Sequence, residues 1–140
     1  MPDVPRWYRP VAVLALLWNL LGCAAYLSDV TKDRTDAAAF SAAEQALHAV
    51  WPVWAVAGTA LAVWFGAAGS LALLLRTRWA LPLLVISALG VLVQDVAFLM
   101  HADLVSRLGA AVWVMQGLVL AVSIGLVLLA RRAAVRGWIR

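Results

Sequence analysis

Charge is scarce in this sequence and cysteine almost absent. Charged residues make up 13% of the chain and apolar residues 66%, against about 25% and about 45–50% in ordinary soluble domains. That balance excludes a soluble globular domain, and it excludes disorder, which needs the opposite composition. The single cysteine, Cys23, has no partner for an internal disulfide, and no Cys/His set stands at zinc spacing. Nucleophile-elbow, phosphate-loop and paired-carboxylate motifs are also missing, so neither an enzyme nor a cofactor is expected.

What the chain does have is long apolar runs. Val11 to Leu27, Val53 to Leu75, Trp79 to Met100 and Gly109 to Ala130 contain 17, 23, 22 and 22 residues, with one charge among them. About 20 residues at about 1.5 Å each cross a hydrocarbon core about 30 Å thick. Backbone polar groups in lipid must be satisfied within the element, and no period-2 alternation offers a barrel. The expected fold is therefore all-α: a polytopic membrane protein forming a single domain over residues 1–140, with four transmembrane helices as two tandem hairpins.

Basic residues set the expected orientation. Eight arginines (6, 9, 76, 78, 131, 132, 136 and 140) flank one side of the runs; Lys32, Arg34 and Arg107 lie on the other, beside five acidic residues. Both termini are expected in the cytoplasm of a bacterial inner membrane. The basic excess then reads as anionic-headgroup contact and not as a nucleic-acid surface. Trp7, Tyr8, Trp79 and Trp138 suggest one interfacial belt, and Tyr26, Trp51 and Trp54 the other.

Arg6-Trp7-Tyr8-Arg9-Pro10 recurs 72 residues later as Arg78-Trp79-Ala80-Leu81-Pro82, and Ala25-Tyr26-Leu27 recurs as Ala97-Phe98-Leu99 at the same offset. The second and fourth runs share small residues every four positions: Gly58, Ala62, Gly66 and Ser70, then Gly117, Ala121 and Gly125. Such stripes let helices approach closely in lipid and offer a face for a homo-oligomer. Two hairpins starting on the same side imply a repeat axis along the membrane normal. The long connection, residues 28–52, is expected to carry a short surface helix over Asp36 to Val50, capped by Thr35 or Asp36.

Asp95 is the sharpest residue, since an ionisable group inside a span marks function by default. It lies five residues from Met100, about 8 Å below the interface. With Asn19, Gln94 and Gln116 it defines an expected polar cavity in the outer half, walled by Trp18, Tyr26, Trp64 and Trp113 and suited to a small-molecule ligand. Interhelical hydrogen bonding is the plainer reading of the same residues. Glu44, His48, His101 and Asp103 have no strong metal-binding spacing, and no metal site is expected.

Trp18-Asn19-Leu20-Leu21-Gly22, Glu44-Gln45-Ala46-Leu47-His48, Trp51-Pro52-Val53-Trp54 and Leu73-Leu74-Leu75-Arg76 followed by Trp79-Ala80-Leu81-Pro82 carry a resemblance. Over residues 7–138 the chain resembles small four-helix bacterial inner-membrane proteins often labelled sugar transporters. The resemblance implies an inner-membrane location and hints at transport; together with the polar outer-half cavity it gives the expectation of a transporter or binding protein for a small polar solute. The other reading is an accessory membrane protein that binds a partner protein or lipid without transport.

Overall fold

The computed structural model describes residues 3–32, 36 and 38–140. Four helices are long and apolar enough to cross a membrane: α1 (Tyr8–Thr31), α3 (Val53–Leu74), α4 (Ala80–Met100) and α6 (Ala110–Val135). Two short helices, α2 (Ala42–Val50) and α5 (Ala102–Ser106), lie in the connections. The described residues contain no strand. The chain is a polytopic membrane protein by length and composition. Its ends differ: the termini and the α3–α4 turn form a basic end, and α2 and α5 lie at the far end.

Each long helix starts where its sequence permits. Trp7 and Trp79 occupy equivalent N-cap positions with nearly the same backbone angles, φ −74°, ψ −18° and φ −68°, ψ −16°. Pro10 and Pro82 then fall in the first turn, where a missing N–H costs nothing. The recurrent Arg-Trp-x-x-Pro pattern is thus one local structure used twice. Gly109, at φ 105°, starts α6 in a backbone conformation that a side chain would strain.

The connecting helix is shorter than the sequence suggests. It begins at Ala42, capped by Ser41, because Ser41 and Glu44 form a capping box. The Ser41 amide donates to Glu44 Oε2 at 2.7 Å, and the Glu44 amide donates to Ser41 Oγ at 3.3 Å. This reciprocal pair satisfies two first-turn donors and outcompetes a start at Asp36. Thr35 lies outside the described residues.

Packing runs in the order α1, α3, α4, α6, with the α3–α4 seam the most extensive. The stripe Gly58, Ala62, Gly66 and Ser70 is buried, with Gly58 and Ala62 against α4 and Gly66 and Ser70 meeting Asn19 of α1. The corresponding stripe on α6 is not: Gly117, Ala121 and Gly125 are exposed. A closed two-fold pair of hairpins would need a seam between α6 and α1 matching that between α3 and α4; none of that extent forms. The core gathers at the basic end, where Tyr8, Ala12, Leu73, Ala80, Ala130 and Trp138 pack together. Tyr8 and Trp138 are therefore core residues, 0% and 5% exposed, and not members of an interfacial belt. Trp7 and Trp79 remain exposed.

Candidate functional site

A lateral cleft separates α1 from α6. Its volume is about 440 Å³. Trp18, Asn19, Gly22 and Ala25 line it from α1, and Met115, Val119 and Ser123 from α6. Ala62 and Val63 of α3 with Leu84, Ser87 and Val91 of α4 form its floor. No charged side chain lines it, and Asn19, Ser87 and Ser123 are its polar residues.

Two of these polar groups are committed to the fold. The Asn19 amide donates to Ala15 O at 2.9 Å and to Ser70 Oγ at 3.0 Å. Gly66 makes room for it: a Cβ there would lie 2.2 Å from Asn19 Oδ1. Ser87 Oγ donates to Ala62 O at 2.6 Å, tying α4 to α3. Ser123 Oγ is buried with no hydrogen-bond partner among the described residues, an arrangement that costs about 1–3 kcal/mol while it lasts.

The other sequence-derived polar residues meet elsewhere. Thr59 Oγ1 lies 2.9 Å from Gln94 Oε1, to which it donates, and Gln94 Nε2 donates to Gln116 Oε1 at 3.4 Å. Gln116 Nε2 in turn donates to Asp95 Oδ1. Thr59 on α3, Gln94 and Asp95 on α4 and Gln116 on α6 thus form a chain of donors ending on the carboxyl group. Asp95 is one turn beyond Val91 on the same helical face, toward the far end of the bundle. The chain therefore stands beyond the cleft and does not line it.

The single cavity expected from sequence is accordingly divided. Trp18 and Asn19 belong to the cleft; Gln94, Asp95 and Gln116 belong to the hydrogen-bonded chain; Asn19 joins none of the three. Trp64 is 47% exposed and walls neither site. Trp113 Nε1 donates to Ser106 Oγ at 3.2 Å, and its ring packs edge-on against Phe98. Tyr26 is half-buried on α1, outside the cleft lining. Thr59, Ser87 and Ser123 escaped the sequence reading, and Ser70 entered it only as a small residue of the stripe, because a lone hydroxyl in an apolar helix can bond its own backbone. For Ser87 the available signal was its place three residues before Gly90.

At the far end, Glu44 is held in the capping box and His48 Nε2 lies 3.9 Å from Asp29 Oδ1. His101 packs against Trp51 at the start of α5. No group of three or more His, Cys, Asp or Glu side chains among the described residues could hold a metal ion. Cys23 is buried on α1, its Sγ donating to Val63 O at 3.3 Å.

The arrangement defines a class: a small helical membrane protein with an apolar recess facing sideways, backed by a separate polar chain. Comparison with known proteins returned no match to any family model, curated protein or solved structure.

Proposed function

We propose that this protein binds an apolar molecule, or the apolar part of an amphipathic one, which enters the α1–α6 cleft sideways from the bilayer. The carrying observation is the cleft itself, which lacks charged lining and opens between two helices that barely touch. Recesses lined by apolar and aromatic groups with a few polar atoms are what such ligands need. Lipid tails already solvate apolar surface, so burial alone gives little preference for the protein over the bilayer. Selectivity then comes from shape and from the Ser123 hydroxyl, which offers a hydrogen bond to a carbonyl or hydroxyl on the ligand. The basic end faces the cytoplasm of a bacterial inner membrane in this reading, supported by the distribution of arginines. A homo-oligomer would use Gly117, Ala121 and Gly125 of α6, which are exposed among the described residues.

Native mass spectrometry of the protein released from its membrane tests the proposal. Wild type should retain a bound apolar molecule. Val119→Trp, which fills the cleft from α6, should lose it while keeping the same helical content. Equal occupancy of both proteins, or none in either, overturns it.

Transport of a small polar solute is the second reading, supported by the chain from Thr59 to Asp95. It needs a polar path. The cleft lining does not suit such a solute, so this reading rests on the carboxyl group alone, and proteoliposome uptake by Asp95→Asn distinguishes the two.

A further inference from the structure

Two helices at the basic end finish in the same motif with different residues. In α6 the left-handed position is Gly137, at φ 69°; the Gly137 amide donates to Ala134 O, and the Trp138 amide to Ala133 O. In α3 the same position is Arg76, at φ 60°, with its amide donating to Leu73 O and the Thr77 amide to Ala72 O. Glycine occupies this position at no steric cost, whereas a side chain there costs about 1–2 kcal/mol. Strain of this kind persists where surrounding structure holds it, and it gathers at functional sites.

The surroundings do hold it. The Arg140 amide donates to Arg76 O at 2.9 Å, the Arg78 amide donates to Arg140 O at 2.7 Å, and Arg76 Nε donates to Trp138 O at 2.9 Å. Trp138 is itself fixed, with Trp7 and Tyr8 edge-on to its ring and the Arg132 guanidinium 5.9 Å from it. A pocket of about 330 Å³ lies in this frame, lined by Leu75, Arg76, Trp138 and Arg140. Among the described residues, neither arginine is in an ion pair; the one recorded contact of that kind is between His48 and Asp29, at the far end.

We propose that Arg76 and Arg140 form a binding site for a phosphate-bearing anion at the basic end of the bundle. Guanidinium forks match phosphate oxygens in pairs, which lysine cannot do. Leu75 and the exposed Trp79 put the pocket beside apolar surface, where an anionic phospholipid presents its phosphate. The same chemistry suits a soluble phosphate ester.

The full chain in a phosphate-free, non-ionic detergent separates these sources, using the guanidinium Nη–H resonances of Arg76 and Arg140. A shift on adding phosphatidylglycerol but not inorganic phosphate assigns a lipid headgroup; a shift with inorganic phosphate assigns a soluble anion. No shift with either overturns the site. Arg76→Gly relieves the backbone strain, so the protein should unfold at the same or a higher temperature while binding weakens about fivefold. Arg140→Gln leaves the backbone bonds of Arg140 in place, and should weaken binding similarly even if Arg76→Gly fails to fold. Wild-type affinity in Arg140→Gln overturns the proposal.

Discussion

Gly90 on α4 lies directly against the carbonyl oxygen of Gly58 on α3. A Cβ on Gly90 would sit 2.6 Å from that oxygen and 2.7 Å from the Ala62 amide nitrogen. The contact is backbone to backbone, so no side chain can swing aside to admit a methyl group. In lipid, where helices feel no hydrophobic attraction for one another, this close approach supplies much of the packing that holds the central seam.

Gly90→Ala should therefore destabilise the bundle despite alanine's better helix propensity. Overpacking costs about 1–3 kcal/mol and propensity returns about 1. A net loss of up to ~2 kcal/mol is expected in denaturant titrations in micelles. Gly117→Ala and Gly125→Ala meet nothing within 4 Å and should be neutral or slightly stabilising in the same titration. Equal losses at all three positions would place α6 in a contact that a single chain lacks.

Tyr8 and Leu73 close the basic end. The Tyr8 hydroxyl donates to Leu73 O at 2.8 Å, and both residues are fully buried. Tyr8→Phe keeps the ring and its packing against Trp138, and Leu73 O still accepts from the Arg76 amide. The expected loss is one hydrogen bond, ~1 kcal/mol. Tyr8→Ala removes the ring as well and should cost ~3–5 kcal/mol. A Phe variant as unstable as the Ala variant would mean that the hydroxyl organises more than Leu73.

The four long helices were legible because their signal is compositional: uncharged runs of membrane-spanning length allow one backbone solution. Their ends were less so. Arginines at positions 131 and 132 mark the edge of an apolar run, yet α6 continues to Val135 because charge can leave the apolar layer without breaking a helix. The small-residue stripes show what sequence leaves open. The same spacing is buried on α3 and exposed on α6, since the pattern states that a helix can be approached closely and not which neighbour does so. The polar residues were individually conspicuous, but their grouping depends on helix rotation, and rotation sent Asn19 to Ser70 and Gln116 to Asp95.

Acid should loosen the start of α2. The Ser41 amide and hydroxyl beside Glu44 hold its carboxyl below the ordinary value of 4.5. A folded-state pKa below the unfolded one means that the capping contribution is complete above 4.5 and is lost as pH falls through the lower folded value. The backbone amide signal of Ser41 should titrate with a midpoint below 4.5. Glu44→Gln retains the capping geometry and should abolish that titration. A midpoint at or above the ordinary value would show that the box does not form in solution.

Asp95 separates a binding protein from a transporter. Its carboxyl accepts from Gln116 Nε2, the last donor in the chain that begins at Thr59. Asp95→Asn keeps an oxygen for Gln116, so stability should change by less than ~1 kcal/mol. Asp95→Leu removes the acceptor and should cost ~1–2 kcal/mol, the scale of interhelical hydrogen bonds in lipid and of an amide left without its partner. Because the chain stands one turn beyond the cleft, Asp95→Asn should leave occupancy of the cleft unchanged in native mass spectrometry. A carboxyl that carries a proton behaves differently: the amide cannot ionise, so coupled uptake would vanish from a protein that still folds and unfolds like wild type. Wild-type occupancy with no uptake activity in either protein is the expected outcome. Solute uptake by wild type that Asp95→Asn abolishes, with the fold intact, would replace the binding function with proton-coupled transport.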